Sequence, residues 1–120
     1  MSNENLKKRT KKFALEIIKF IESLPKDETC RVLGRQLLRS GTSVGANYRA
    51  ACRAKSTADF INKMGTVEEE ADESAYWIEV LIEDGKVSEI KATPLLKEAD
   101  ELVAITVSSI NTARRSGGRP

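Results

Sequence analysis

Apolar residues recur every three or four positions along most of this chain, and this spacing restricts its fold more than any other feature. The first such stretch ends at Pro25, because proline interrupts a helix. Its apolar positions are Phe13, Ile17, Phe20, Ile21 and Leu24. No stretch alternates polar and apolar residues over a useful length, as β-strands do. The spacing therefore predicts an all-α protein.

The second stretch is predicted to run from a capping residue at Asp27 to about Ala54. It contains three glycines, each costing roughly 1 kcal/mol relative to alanine inside a helix. We expect either a kink or a close contact with a neighbouring helix at these positions, which are Gly34, Gly41 and Gly45. On a helical wheel its core stripe comprises Leu33, Leu37, Ser40, Gly41, Val44, Tyr48 and Ala51.

A third helix is predicted to open at Ser56, which forms a capping-box pattern with Asp59, and to close at Asp84-Gly85. Its core stripe comprises Phe60, Met64, Val67, Ala71, Ser74, Ile78, Leu81 and Ile82. Acidic residues occupy most of its remaining surface: Glu68, Glu69, Glu70, Asp72, Glu73, Glu79, Glu83 and Asp84. This helix should therefore be acidic on its outer side.

A fourth helix is predicted from Thr93, as cap, and Pro94, as first-turn proline, to about Arg114. Its inner positions are Leu95, Ala99, Leu102, Val103, Thr106 and Ile110. Since the connections are short, consecutive helices should be antiparallel neighbours. We expect an antiparallel up-down-up-down four-helix bundle over residues 1–114, followed by a flexible tail over residues 115–120.

Composition excludes several classes of protein. The 120 residues are 40% hydrophobic and 32% charged, enough for one core and too apolar for a disordered chain. The N-terminus lacks the pattern of a signal peptide, so we expect a cytoplasmic protein with Cys30 and Cys52 reduced. With no histidine, no glycine-rich phosphate loop and no activated nucleophile, we expect no enzyme, no cofactor and no catalytic residue.

Five arginines of the second helix fall within about 80° of arc opposite its core stripe, if the helix is regular through its glycines. We call Arg31, Arg35, Arg39, Arg49 and Arg53 the arginine row. A guanidinium group can donate two parallel hydrogen bonds to one phosphate or carboxylate, so the row could bind nucleic acid. It could equally pair with acids of the third helix, within a subunit or between subunits, and Arg39 with Glu73 is the pair most expected to be structural.

Basic residues near both termini extend this hypothesis. Lys7, Lys8, Lys11 and Lys12 scatter around the helical wheel together with Arg9, which predicts a flexible basic arm. Arg114, Arg115 and Arg119 form a smaller one. Such arms attract polyanions by releasing counterions, although a solvated, fraying terminus would have the same composition.

The remaining polar and aromatic candidates favour packing or self-association. Gln36 and Asn47 could read bases, but satisfying backbone groups or a subunit contact is the preferred interpretation. Tyr76 and Trp77 lie opposite and beside the core stripe, so at least one should be exposed unless a partner covers it. An arginine face and an acidic face on one molecule could meet head-to-tail and close a ring. The acids lack His or paired Cys to complete a metal site.

Two segments together resemble a known family. They are QLLRSGTSVGANYRAACRAKS, with Gln36, Leu37, Arg39, Ser40, Ser43, Val44, Asn47 and Tyr48, and DFINKMGTVEEEADESAYWIEVL, with Phe60, Glu69, Glu73, Tyr76 and Trp77. The chain is similar to the four-helix bundle proteins encoded in intervening sequences of 23S ribosomal RNA genes, a family that includes the accessory variability determinants of diversity-generating retroelements. It departs from many relatives at Ala50, where they carry glutamate.

The resemblance implies an antiparallel four-helix bundle that assembles as a ring-shaped homopentamer. In the retroelement branch it implies basic surface in contact with nucleic acid and with a reverse transcriptase. We therefore carry two main hypotheses: an accessory protein that binds RNA or an RNA–DNA hybrid, and a protein scaffold or adaptor without nucleic-acid contact. Association of the basic first helix with a membrane surface is the least favoured alternative.

Overall fold

Four α-helices make up most of residues 3–117, the part of the chain that the computed structural model describes. They are α1 (Asn3–Glu22), α2 (Glu28–Ala51), α3 (Thr57–Glu83) and α4 (Glu89–Gly117). No strand occurs within these residues, so the predicted all-α class is confirmed. Each helix packs against the next, and α4 returns to contact α1, an arrangement that fits a bundle measuring 55 × 21 × 20 Å.

The predicted apolar stripes form the core. Almost all the predicted positions are buried, and the exceptions, among them Leu33, Phe60 and Val103, are half-buried against it. The side chains with least exposure include Phe13, Ile17, Leu37, Val44, Met64, Ile78, Leu81 and Leu102. Two buried hydroxyls join α2 to α3, because Ser74 Oγ donates to Ser40 Oγ over 2.9 Å. Within the described residues, every buried polar side-chain atom has a hydrogen-bond partner.

The glycines of α2 mark a close contact with α1. A Cβ added to Gly41 would lie 2.8 Å from Cγ1 and 3.2 Å from Cβ of buried Ile17. At Gly45 the added atom would lie 3.1 Å from Thr10 Oγ1. Since α2 is one continuous helix, the structure favours the close contact over the kink. The missing side chains let the two backbones approach.

Predicted capping residues begin α2 and α3. The Asp27 carboxylate accepts the backbone N–H of Cys30 over 2.8 Å, and Ser56 Oγ accepts that of Asp59 over 3.1 Å. The Cys30 N–H and the nearby ammonium of Lys86 hold the pKa of Asp27 below its usual value. These contacts confirm both helix starts, while α2 ends at Ala51 rather than near residue 54.

The prediction of a flexible N-terminal arm was wrong. Helix α1 already begins at Asn3, so Lys7, Lys8, Lys11 and Lys12 all lie on a helix. The reason is that Leu6 and Thr10 are buried and continue the stripe of Phe13 by one and two turns toward the N-terminus. The lysines project from a packed element.

The predicted limits of α4 were also wrong. The helix begins at Glu89 instead of Pro94, because Ser88 Oγ accepts the backbone N–H of Lys91 over 3.2 Å and takes the capping role assigned to Thr93. Pro94 therefore lies inside the second turn of α4, where its missing N–H removes one helical hydrogen bond near exposed Ile90. The helix continues through Gly117, so residues 115–117 of the predicted tail are helical. Residues 118–120, including Arg119, lie outside the described part.

Replacing Gly41 with alanine should destabilise the protein. The new methyl group would overlap Ile17, which is fully buried and branched at Cβ, so we expect a loss of about 1–3 kcal/mol despite alanine's higher helix propensity. Gly65→Ala in α3 is the matched control, since an added Cβ there has no neighbour within 4 Å. That variant should gain about 0.5–1 kcal/mol. Urea unfolding measures both, and equal stabilisation of the two variants would contradict the close contact.

Candidate nucleic-acid interface

A shallow groove of about 430 Å³ between α1 and α2 collects most of the predicted cations. We call it the basic groove; its lining residues are Glu4, Lys7, Lys8, Lys11, Lys12, Leu15 and Arg49. The four lysines come from α1, and Arg49 comes from the last turn of α2. Glu4 is the one acid among the lining residues, and its carboxylate lies 3.8 Å from Lys7 Nζ. A groove with five cations and one acid attracts polyanions.

The groove follows from the spacing of the lysines and the packing of the two helices. Lys7 with Lys11, and Lys8 with Lys12, are four residues apart, so each pair projects from one side of α1. The close contact at Gly41 then places this side beside the outer face of α2. The predicted lysines and Arg49 are far apart in the sequence, and the structure brings them together.

The arginine row is exposed along its whole length, but its members differ in what they contact. Arg35 and Arg49 make no ion pair within the described residues, and Arg53 donates to the carbonyl of Arg49 over 3.2 Å. Arg31 pairs with Glu28 of its own helix, with Nε 3.0 Å from Oε1. Exposed pairs of this kind contribute about 0–1 kcal/mol, so phosphate can displace the carboxylate.

Arg39 differs because acids of α3 hold it. Its guanidinium donates to Glu70 Oε1 over 3.1 Å and also to Glu73. The hydrogen bond from Arg39 to Glu73 is the main cause of a raised pKa of the arginine. Arg39 thus joins α2 to α3, as predicted for its pairing with Glu73, and is not free for a ligand.

Glu73 also anchors the aromatic pair of α3. Trp77 Nε1 donates to Glu73 Oε2 over 3.0 Å, and the rings of Tyr76 and Trp77 meet edge to face with centroids 5.1 Å apart. The bond from Trp77, followed by that from Arg39, lowers the pKa of Glu73 below its usual value. Trp77 is half-buried, whereas Tyr76 remains 55% exposed.

The other predicted candidates lie away from the basic groove. The Asn47 amide donates to the carbonyl of Ser43 over 2.8 Å within its own helix, while Gln36 is exposed. Tyr48 is buried, its hydroxyl donates to Asn3 Oδ1 over 3.1 Å, and burial raises its pKa. Two further predicted cations, Arg114 and Arg115, are exposed on the last turns of α4. They stand near the N-terminus of α1, where Ser116 and Asn3 line one cleft.

Two features of α1 were not predicted from the sequence. Arg9, which was grouped with the flexible arm, donates to both carboxylate oxygens of Glu98 over 2.7 and 2.8 Å and also lies 3.3 Å from Glu101. This pairing closes α1 on α4 and raises the pKa of Arg9. Leu15 is 56% exposed in the groove. Leu15 follows Lys8 by seven residues and Lys11 by four, a spacing that places it on the lysine side of a helix, so the sequence contained a signal for it.

Other kinds of site find little support in the described residues. Among them, no group of three or more His, Cys, Asp or Glu side chains could hold a metal ion. Helices long and apolar enough to cross a membrane are likewise absent from residues 3–117. Both cysteines are free thiols.

Protonation of Glu73 should weaken the contact between α2 and α3 in acid. Folding lowers the pKa of Glu73, so the ionised carboxylate contributes to the free energy of unfolding. This contribution is complete above the pKa of the unfolded state, about 4.3, and is lost as pH falls through the lower pKa of the folded state. Glu73→Gln should therefore show a smaller loss of stability than the wild type between about pH 5 and about pH 2. Urea unfolding at several pH values measures this. Glu79→Gln, which removes a carboxylate without an ion pair in the described chain, should behave like the wild type.

Comparison with known proteins agrees with the four-helix fold. The chain is similar to a crystal structure of a protein with unknown function from the S23 ribosomal protein family of Bacteroides thetaiotaomicron VPI-5482. The two are 34% identical, with a TM-score of 0.85 over 92% of this chain and 99% of that one. No curated protein matches the sequence. The model of the family described as 23S rRNA-intervening sequence protein matches residues 3–108, and the chain therefore belongs to that family.

Proposed function

We propose that this protein is a non-enzymatic accessory protein that binds nucleic acid, RNA or an RNA–DNA hybrid, through the basic groove. The observation that carries the proposal is the convergence of four lysines of α1 and Arg49 of α2 on one exposed groove with a single acid. Lysine and arginine side chains on phosphates supply affinity that does not depend on base sequence. We expect the binding to be electrostatic.

The arginine row extends this surface along α2. Arg35 and Arg53 are exposed and make no ion pair within the described residues, so they can continue the contact made by Arg49. Arg31 would have to exchange Glu28 for phosphate, and Arg39 remains with Glu70 and Glu73. Arg114 and Arg115 stand at the end of the bundle where α1 begins and would add peripheral charge.

We also propose the up-down-up-down arrangement that the short connections predict. Contacts between α1 and α2 support it, because they run in opposite directions along the two helices. Asn3 meets Tyr48, Thr10 lies beside Gly45, and Ile17 lies beside Gly41. The arrangement explains how the N-terminal lysines of α1 come to lie beside the C-terminal arginines of α2.

Neutralising the basic groove should weaken binding and its dependence on salt. For Lys8→Gln, Lys11→Gln and Arg49→Gln combined, we expect affinity for structured RNA to fall about tenfold or more. The slope of log K against log salt should become shallower by about one for each phosphate that the variant no longer neutralises. Fluorescence anisotropy across a salt series measures both.

A charge-matched variant controls for the reduced net charge. Lys26, Lys91 and Lys97 are exposed, lie outside the basic groove and make no ion pair within residues 3–117. Their combined replacement by glutamine removes the same three charges and should leave the slope close to that of the wild type. Equal slopes for the groove variant and the wild type would exclude the groove as the binding site.

A second candidate function is a scaffold that binds only protein, such as a reverse transcriptase or further copies of this chain. Exposed Tyr76 favours this second function, because an uncovered aromatic side chain suits a contact with protein. The acids around it on α3 make no ion pair within the described residues and suit a basic partner surface: Glu69, Asp72, Glu79 and Glu83. In a homo-oligomer, for which the family resemblance implies a pentamer, this acidic face would meet the arginine row of the next copy.

Removing cations of the arginine row tests whether this row holds copies of the chain together. If that contact closes a ring, replacing Arg35, Arg49 and Arg53 with alanine should reduce the mass of the particle to that of single chains, because every interface would then lack three of its cations. Light scattering measures the mass, with the variant at Lys26, Lys91 and Lys97 as control. A particle of unchanged mass would contradict this use of the row.

A further inference from the structure

We propose, building on the proposed function, that the basic groove and the adjoining face of α1 bind a double helix by its two backbones and do not read its bases. The four groove lysines form two rows on α1, Lys7 with Lys11 and Lys8 with Lys12. Each lysine of the second row follows one of the first row by one residue, so the two rows are about 100° apart around the helix axis. Two rows separated in this way can face the two phosphate backbones that border one groove of a duplex.

The net positive charge of this surface approaches the charge that a duplex presents to one side. Lys19 is exposed on the same helix and lines the neighbouring cleft together with Lys12. From Lys7 to Lys19 the axis of α1 covers about 18 Å. A duplex of that length carries about ten phosphate charges, of which roughly half face one side. The five lysines of α1 and Arg49, less the charges of Glu4 and Glu16 on the same surface, neutralise most of that half.

Aromatic side chains are placed where they cannot help to bind a single strand. Single-stranded nucleic acid binds by stacking its bases on aromatic rings beside a basic track. None of the residues that line the basic groove is aromatic. Tyr76, the exposed aromatic of the described chain, lies on α3, whose backbone does not come close to that of α1. Its neighbours there are acids, which repel phosphate.

Only one side chain of the kind that reads bases by two-pronged contacts, Arg49, lines the basic groove. Arginine, asparagine and glutamine make the two-pronged contacts that distinguish base pairs. The lining of the groove contains lysines and one arginine, while Asn47 is bonded to its own helix and Gln36 lies elsewhere on α2. The surface should therefore bind duplexes of different sequence alike.

Leu15 occupies the middle of this surface and distinguishes it from a general basic patch. Its exposed side chain stands one turn beyond Lys11 and Lys12, between the directions of the two rows. An apolar side chain there can rest on the sugars of the duplex between the backbones. A carboxylate at the same position would face the phosphates on both sides.

The test compares duplex with single strand at equal numbers of phosphates. The probes are an A·U-rich RNA hairpin, a G·C-rich hairpin, an RNA–DNA hybrid and an unstructured single-stranded RNA, each followed by fluorescence anisotropy with the full chain. We expect the three duplexes to bind with similar affinity and about tenfold more tightly than the single strand. Tyr76→Ala should leave all affinities unchanged.

Two variants that introduce a carboxylate test the position of the duplex. Leu15→Glu should weaken duplex binding by about tenfold or more, because it places a negative charge between the lysine rows. Val107→Glu is the matched control, since Val107 is also an exposed apolar residue but lies on α4 and lines neither the basic groove nor the neighbouring cleft. It should bind nearly as tightly as the wild type, and circular dichroism checks that both variants fold.

Three kinds of result would overturn the proposal, and they differ in whether they also reject the proposed function. Equal or tighter binding of the single strand, or weaker binding by Tyr76→Ala, would reject the duplex and leave nucleic-acid binding in place. Equal effects of Leu15→Glu and Val107→Glu would reject this face of α1. If the wild type binds no probe at low salt, or binds vesicles of anionic lipid in preference to all four, the proposed function fails as well.

Discussion

The close contact of α1 with α2 at glycine positions is the constraint on which the rest of the structure depends. Without a side chain at Gly41 and Gly45, the two backbones approach until Ile17 and Thr10 fill the space. This approach determines how α1 is rotated against α2. The rotation turns one apolar side of α1 into the core and leaves its lysine rows beside Arg49. The basic groove is thus a consequence of how the core packs.

Charge is separated across the bundle in a way that the net charge of +2 conceals. Cations dominate the groove between α1 and α2, whereas the exposed side of α3 is acidic. Only a few ion pairs cross between helices of the described chain, among them Arg39 with Glu70 and Glu73, and Arg9 with Glu98 and Glu101. These ion pairs lie where two helices adjoin. Most of the charged side chains on the outer faces of the helices remain unpaired. Each outer face therefore keeps an excess of charge of one sign.

The helices and their core were predictable because local signals and burial agree. Apolar spacing identified the buried positions, and the capping side chains of Asp27 and Ser56 identified two helix starts. Prediction failed where two local signals competed. Thr93-Pro94 resembled a helix start, but Ser88 caps α4 five residues earlier and Pro94 is accommodated in the second turn. Near the N-terminus, the lysines favoured the prediction of a flexible arm, but burial of Leu6 and Thr10 extends α1 back to Asn3.

The sequence by itself determined which residues are charged, which face of each helix is apolar and where α2 and α3 begin, because these properties depend on spacing within one helix. Only the tertiary structure decided which cations share a surface. Arg39 and Arg49 belong to the same row of α2, yet one is held by acids of α3 and the other joins the lysines of α1. The difference arises from which helix packs on each side of α2, and that packing involves residues far apart in the chain.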